Sequence, residues 1–184
     1  MSDEGASPRE LILEAARRNN TSLLEEVLAD LTAAAKKEGK NVEEYIAETL
    51  NKAADGVGNG CLHTAATYGS YEILDILLDQ EGVHIDEVDR LESDTPLHKA
   101  VRYVNSLSPS EWEPAGHPIV EILLDAGCDP RARNKGKLKP VELVDPRNTA
   151  LQALLRKGEF ELQLAGDVVE DDDDGPTGSA SDSD

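Results

Sequence analysis

The side chains with the most evident chemistry are seven carboxylates in one short segment. Residues 79–94 carry these acids against a single base, Arg90. The seven are Asp79, Glu81, Asp86, Glu87, Asp89, Glu92 and Asp94. Carboxylates that a rigid element holds close together attract Lys and Arg side chains of a partner, and salt weakens this attraction. The segment therefore predicts a surface that binds a basic protein.

His63 and His98 are the first candidates for catalysis or metal binding, because they stand 35 residues apart in equivalent sequence contexts. Neither has a third ligand at a metal-binding spacing. The sequence also lacks a nucleophile motif, a phosphate-binding Gly loop and a paired-carboxylate site. We therefore favour the interpretation that each imidazole bonds backbone groups at the start of its own helix. We predict no catalytic residue, no metal and no cofactor, and we expect that the protein is not an enzyme.

The elements that must position these residues are short helices in pairs. Residues 60–78 contain two apolar segments of helical period, separated by a turn at Gly69 and Ser70. The first half recurs at 95–101 and the second half at 119–127. One such pair cannot bury its apolar stripe alone, so the copies must stack on one another.

Two of these segments resemble a known family. The run Thr95-Pro96-Leu97-His98 resembles the signature of ankyrin repeats, and residues 125–130 match the loop that leaves the second helix of that repeat. The resemblance implies an all-α ankyrin-repeat solenoid of about four helix-turn-helix repeats, joined by β-hairpin-like loops.

The spacing of the copies predicts the domain boundaries. An ankyrin-repeat domain should cover residues 7–166, with repeats at about 7–55, 56–90, 91–134 and 135–166 and with insertions within 31–54 and 105–116. In the first insertion, Asn41 followed by Glu44 predicts a cap for an added helix from Val42 to about Ala54, after a loop at 36–40. Residues 167–184 form an acidic tail whose composition predicts disorder.

Three aromatic residues and the tail each leave two interpretations open. Tyr68 and Tyr103 lie six residues after the signature Leu of their repeats, and either anchor a partner on the concave face or cover the edges of neighbouring repeats. Trp112, in the second insertion, either folds back on the core or anchors a partner. The tail acids either solvate the chain or hold a basic client; they are Glu170, Asp171, Asp172, Asp173 and Asp174.

Composition restricts the classes of partner. The 184 residues include 38 acids and 18 bases, a formal net charge of -20. This charge argues against nucleic acid and anionic membrane surfaces as direct partners, and it favours basic proteins. The apolar runs are too short to span a bilayer, and the N-terminal residues lack an apolar signal region. Cys61 and Cys128 have no metal-ligand spacing and predict reduced, partly buried thiols in an intracellular protein.

A narrower resemblance concerns function. A degenerate first repeat, the segment Arg133-Asn134-Lys135 before the last repeat and an acidic tail make the chain similar to the fungal ankyrin-repeat chaperones of small-subunit ribosomal protein S-three. The resemblance implies a cytoplasmic and nuclear monomer that holds its basic client in a 1:1 complex before assembly into the small ribosomal subunit. We expect Asp86, Glu87, Asp89, Glu92 and Asp94 to meet client Lys and Arg side chains. Two alternatives stay open: an adaptor in signalling or degradation, and an acidic mimic of nucleic acid.

Overall fold

Pairs of helices build most of the described part of the protein, and short turns at 19–20 and 69–70 join the first and second helices of the first two repeats. The computed structural model describes residues 5–167, and in this range the regular structure is almost entirely helical. The helices are α1 (Pro8–Arg18), α2 (Thr21–Glu38), α3 (Val42–Lys52), α4 (Cys61–Tyr68), α5 (Tyr71–Leu78), α6 (Pro96–Ser106), α7 (His117–Asp125), α8 (Pro140–Leu143) and α9 (Thr149–Asp167). A π-helical turn at Trp112–Gly116 precedes α7. The all-α stack expected from the repeats is confirmed.

The helices begin where side chains can accept their first free backbone N–H groups. The Asn41 side chain accepts the backbone N–H of Glu44 at 3.0 Å, so α3 begins at the residue that the sequence predicted. Thr95 caps α6 in the same way, by accepting the N–H of His98. These caps fix the direction in which the chain enters each helix.

The first insertion differs from the expectation in two respects. Residues 36–38 continue α2 as helix rather than forming a loop, because the preceding Ala33-Ala34-Ala35 run favours helix and Gly39 ends it in the left-handed region at φ 68°. The added helix α3 ends at Lys52, two residues before the predicted end.

A continuous apolar core runs through the stack. It consists of one stripe from each long helix, and its largest fully buried side chains include Ile12, Leu24, Leu50, Ile73, Leu74, Leu77, Leu97, Ile119, Leu123, Leu151 and Leu155. Each truncation to Ala would cost about 2–5 kcal/mol. The core is the rigid support on which the connecting loops are held.

The second insertion forms a compact turn between α6 and α7. The Glu111 carboxylate accepts both the backbone N–H and the hydroxyl of Ser108, at 3.0 and 2.6 Å. Gly116 lies against the side chain of Val104, where an added Cβ would come within 2.9 Å. The inserted residues therefore pack on the third repeat.

Candidate protein-binding surface

The loops between the repeats lie side by side. We call residues 54–60 the first hairpin, residues 79–95 the second hairpin and residues 126–139 the third hairpin. The Arg90 N–H donates to the Val57 carbonyl at 3.0 Å, and the Lys135 N–H donates to the Glu92 carbonyl at 2.7 Å. These backbone bonds join the second hairpin to both of its neighbours, so its backbone is held in a fixed position.

Asp94 of the second hairpin is fully buried, which corrects the expectation that it meets a partner. Its carboxylate accepts the Arg102 Nε–H at 2.7 Å and the Asn134 Nδ2–H at 2.9 Å. Burial by itself would raise the pKa of Asp94, but the hydrogen bonds from Arg102 and Asn134 outweigh it and lower that pKa below its usual value. Asp94 therefore ties the second hairpin to α6 and to the third hairpin.

Asp89 is also buried, with 2% of its surface exposed. It pairs with the Lys99 Nζ at 2.5 Å and accepts the backbone N–H of Glu92 at 2.8 Å. Burial opposes ionisation of Asp89, and the hydrogen bond from Lys99 again leaves the pKa below its usual value. The prediction for Asp89 is corrected for the same reason: the protein itself supplies the cation that the sequence assigned to a client.

Three of the five predicted contact acids stay exposed: Asp86, Glu87 and Glu92. Asp86 accepts the backbone N–H of Asp129 at 3.1 Å, and burial raises its pKa. Glu87 lies 2.8 Å from the Nδ1 of His84. These carboxylates face solvent, and their contact with a partner stays a prediction.

The structure adds exposed acids that the sequence reasoning missed. Helices α5 and α7 pack beside each other and contain no Lys or Arg. Their exposed acids are Glu72, Asp75, Glu121 and Asp125, and Asp79 and Glu81 follow at the start of the second hairpin. We call this set, together with Asp86, Glu87 and Glu92, the acidic surface. The signal was present in the sequence as acids at helix positions opposite the apolar stripe.

Tyr68 and Tyr103 are neighbours, but they have different environments. Tyr68 is 53% exposed, and the Arg17 guanidinium lies 6.0 Å from its ring centroid. Tyr103 is half-buried and covers Gly69, where an added Cβ would overlap its ring. Tyr68 therefore stays a candidate anchor, whereas Tyr103 seals the edge between two repeats.

Trp112 is half-buried against the core. The Arg147 guanidinium lies 5.7 Å from its ring centroid, and Arg147 also pairs with Asp145 at 2.8 Å. The contacts of Trp112 fit the interpretation in which it folds back on the core.

His63 and His98 join each helix start to the hairpin that follows. The Nδ1 of His63 accepts the Gly60 N–H at 3.1 Å, and its Nε2 donates to the Asp94 carbonyl at 2.9 Å. His98 accepts the Thr95 N–H at 3.2 Å and donates to the Leu138 carbonyl at 3.0 Å. Burial lowers the pKa of both imidazoles, so each stays neutral with its proton on Nε2.

Both thiols are buried and free. Burial raises the pKa of Cys61 to about 12 and also raises that of Cys128.

Within residues 5–167, no cluster of three or more His, Cys, Asp or Glu side chains is arranged to hold a metal ion. In the same range no helix has both the length and the apolar character needed to cross a membrane. The predicted tail contacts at 170–174 lie outside the described residues.

Comparison with known proteins decides the family. A family model described as ankyrin repeats (3 copies) matches residues 10–134, which is more than half of the chain. The chain belongs to the ankyrin-repeat family. Ankyrin repeat-containing protein YGL242C of Saccharomyces cerevisiae is 41% identical over 186 residues, which cover 96% of this chain and 95% of that protein. The similarity thus includes the C-terminal helices of this ankyrin protein. Ankyrin repeats are protein-binding modules and typically non-catalytic, and the name of the yeast relative specifies no client.

Proposed function

We propose that this ankyrin-repeat protein binds a basic segment of a partner protein through its acidic surface. The observation that supports the proposal is the charge of the second hairpin, α5 and α7, which together expose nine carboxylates and contain Arg90 as the one base. Residues 5–167 hold all 18 bases but 29 of the 38 acids, so this part of the chain is acidic without the tail. Electrostatic attraction of this kind accelerates the encounter with a basic partner.

The client that we propose is a basic ribosomal protein, with small-subunit protein S-three as the first candidate from the sequence resemblance. A free ribosomal protein exposes cationic RNA-binding surface, which associates with cellular polyanions. An acidic surface on a rigid stack would cover a basic segment until ribosomal RNA competes for it. In this role the protein would act as a dedicated chaperone that keeps its client soluble before assembly.

The contribution of the acidic surface is tested by charge reversal of Glu87 and Glu92, which make no ion pair with Lys or Arg within residues 5–167. Each exposed pair contributes about 0.2–1 kcal/mol, so losing two pairs in Glu87→Lys/Glu92→Lys should raise the Kd for purified protein S-three by roughly twofold to thirtyfold, and repulsion from the new lysines should add to this increase. The matched control is Glu25→Lys/Glu26→Lys on α2, which changes the net charge equally outside the acidic surface. Equal Kd values for the two variants would reject the acidic surface as the binding site.

The identity of the client is tested separately, by affinity purification of the full chain at low and at high salt followed by mass spectrometry. A chaperone of this class should recover basic ribosomal proteins at low salt and lose them at high salt. Recovery of a set without ribosomal proteins would instead favour an adaptor.

A further inference from the structure

The tips of the three hairpins form one exposed row of basic and apolar side chains, whereas the protein as a whole is acidic. We call six residues the tip row: Val57, Arg90, Leu91, Lys135, Lys137 and Leu138. The two backbone bonds between hairpins place them side by side, and the Lys135 Nζ also lies 3.5 Å from the Leu91 carbonyl. The row combines three cations with apolar side chains that are 36%, 56% and 38% exposed at Val57, Leu91 and Leu138.

The cations of the tip row differ from the other bases of the third hairpin. Arg131, Arg133 and Lys139 each pair with a carboxylate of the chain, at 3.0, 3.4 and 3.2 Å. In residues 5–167, no carboxylate lies within ion-pair distance of Arg90, Lys135 or Lys137. Of the two acids that flank Arg90 and Leu91 in sequence, Asp89 is buried and pairs with Lys99, and Glu92 is exposed. In a chain of net charge -20, this row is a local positive surface.

Helix α9 places the C-terminal segment beside the base of the third hairpin, residues 126–130. Lys139 pairs with Glu159 of α9, and further along the helix Leu162 and Ala165 line the same groove as Gly127 and Pro130. The described part of this helix extends to Asp167. The seven residues that follow can extend about 24 Å at ~3.4 Å per residue, whereas the five Cα-to-Cα steps from Pro130 to Lys135 span at most about 17 Å. The segment is therefore long enough to reach the tips from the base.

We propose that residues 168–174 of the same chain dock on the tip row. Their sequence, Val-Val-Glu-Asp-Asp-Asp-Asp, matches the row in both respects: it offers two apolar side chains and five carboxylates. Tethering to α9 gives the segment an effective concentration in the millimolar range, so weak individual contacts suffice. A basic partner would then compete with the tip row for the tail. This consequence rests on the proposed function, whereas the docking itself does not.

The docking is tested on the free full-length chain with a carbodiimide that couples carboxylates to lysines in contact, followed by mass spectrometry. At low salt the tail acids should couple within one chain to Lys135 and Lys137, several-fold more than to the exposed Lys36 and Lys37 at the end of α2. At high salt the preference should disappear because the charges are screened. An even distribution over all four lysines, coupling between chains only, or no coupling would overturn the proposal.

Two full-length variants keep the test independent of the lysine chemistry. The variant with Glu170→Gln and the four acids 171–174 changed to Asn should shift the backbone amide NMR signals of Arg90, Leu91 and Lys137. The variant Lys135→Glu/Lys137→Glu should release the tail, so that tail signals become those of a free segment, while Lys36→Glu/Lys37→Glu leaves them unchanged. Hairpin signals that do not respond to the tail variant would overturn the docking, whatever is found for a basic partner.

Discussion

Replacing Asp94 with alanine should destabilise the fold, because this carboxylate joins three elements and is fully buried. Hydrogen bonds to a charged group contribute about 1.5–3 kcal/mol each. The bond from buried Asn134 counts in full, at about 2 kcal/mol, because its loss leaves a buried donor without a partner. The bond from Arg102 counts for about 1 kcal/mol, because that side chain is 46% exposed and water can replace the carboxylate. The sum is about 3 kcal/mol, or about 6–12 °C in Tm for a domain of this size.

The variant Asp94→Asn separates charge from shape. The folded-state pKa of Asp94 is lowered from its usual 3.8, so its ionisation stabilises the native state above that value, and this contribution is lost as the pH falls below it. The stability difference between wild type and Asp94→Asn should therefore be constant from pH 5 to 8 and decrease below about pH 4.

Urea unfolding of Asp94→Ala, with Glu25→Ala on α2 as an exposed control outside the acidic surface, gives the measurement. The control should change stability by less than about 0.5 kcal/mol. Partner binding by the folded fraction should be equal in both variants. If Asp94→Ala kept its Tm but lost binding, the assignment of Asp94 to the interior would be refuted and its role as a client contact restored.

Other consequences can be measured in the same way. Gly39 and Gly69 both have left-handed φ, at 68° and 66°, but only Gly69 lies under the Tyr103 ring. Gly39→Ala should lower the free energy of unfolding by about 1–2 kcal/mol. Gly69→Ala should lower it further, and the additional loss should be recovered when Tyr103 is also changed to Ala. Burial lowers the pKa of His98 below 6.5, so the neutral ring stabilises the fold above that pH and this contribution should be lost as the pH falls. In His98→Gln, the decrease in Tm between pH 6.5 and 5 should therefore be smaller than in wild type. Burial raises the pKa of Cys61 to about 12 and leaves only 4% of its surface exposed, so it should not react with iodoacetamide at pH 8 until urea unfolds the protein. Rapid reaction of the native thiol would show that the core opens locally.

Sequence alone was sufficient for the fold, because the determining signals are local and repeated. The stripe Ile73, Leu74 and Leu77 has the helical period, and turn residues bound it on both sides. The same pattern recurs at Ile119, Val120 and Leu123, one repeat later once the second insertion is allowed for, and only stacking can bury such copies. The cap at Asn41 could likewise be read directly, since a cap bonds to a backbone group three residues away.

Whether each acid in the second hairpin is exposed or buried was decided only by the tertiary structure. Glu87 and Asp89 are two residues apart and look alike in the sequence, yet one faces water and the other pairs with Lys99. Asp94 is paired by Asn134, which is 40 residues away in the third hairpin. Periodicity gives the face of a helix, but a connecting loop has no such period, so the direction of its side chains depends on which neighbouring repeat they meet. Composition determined how much negative charge the protein carries, and packing between repeats determined which carboxylates remain free to bind a partner.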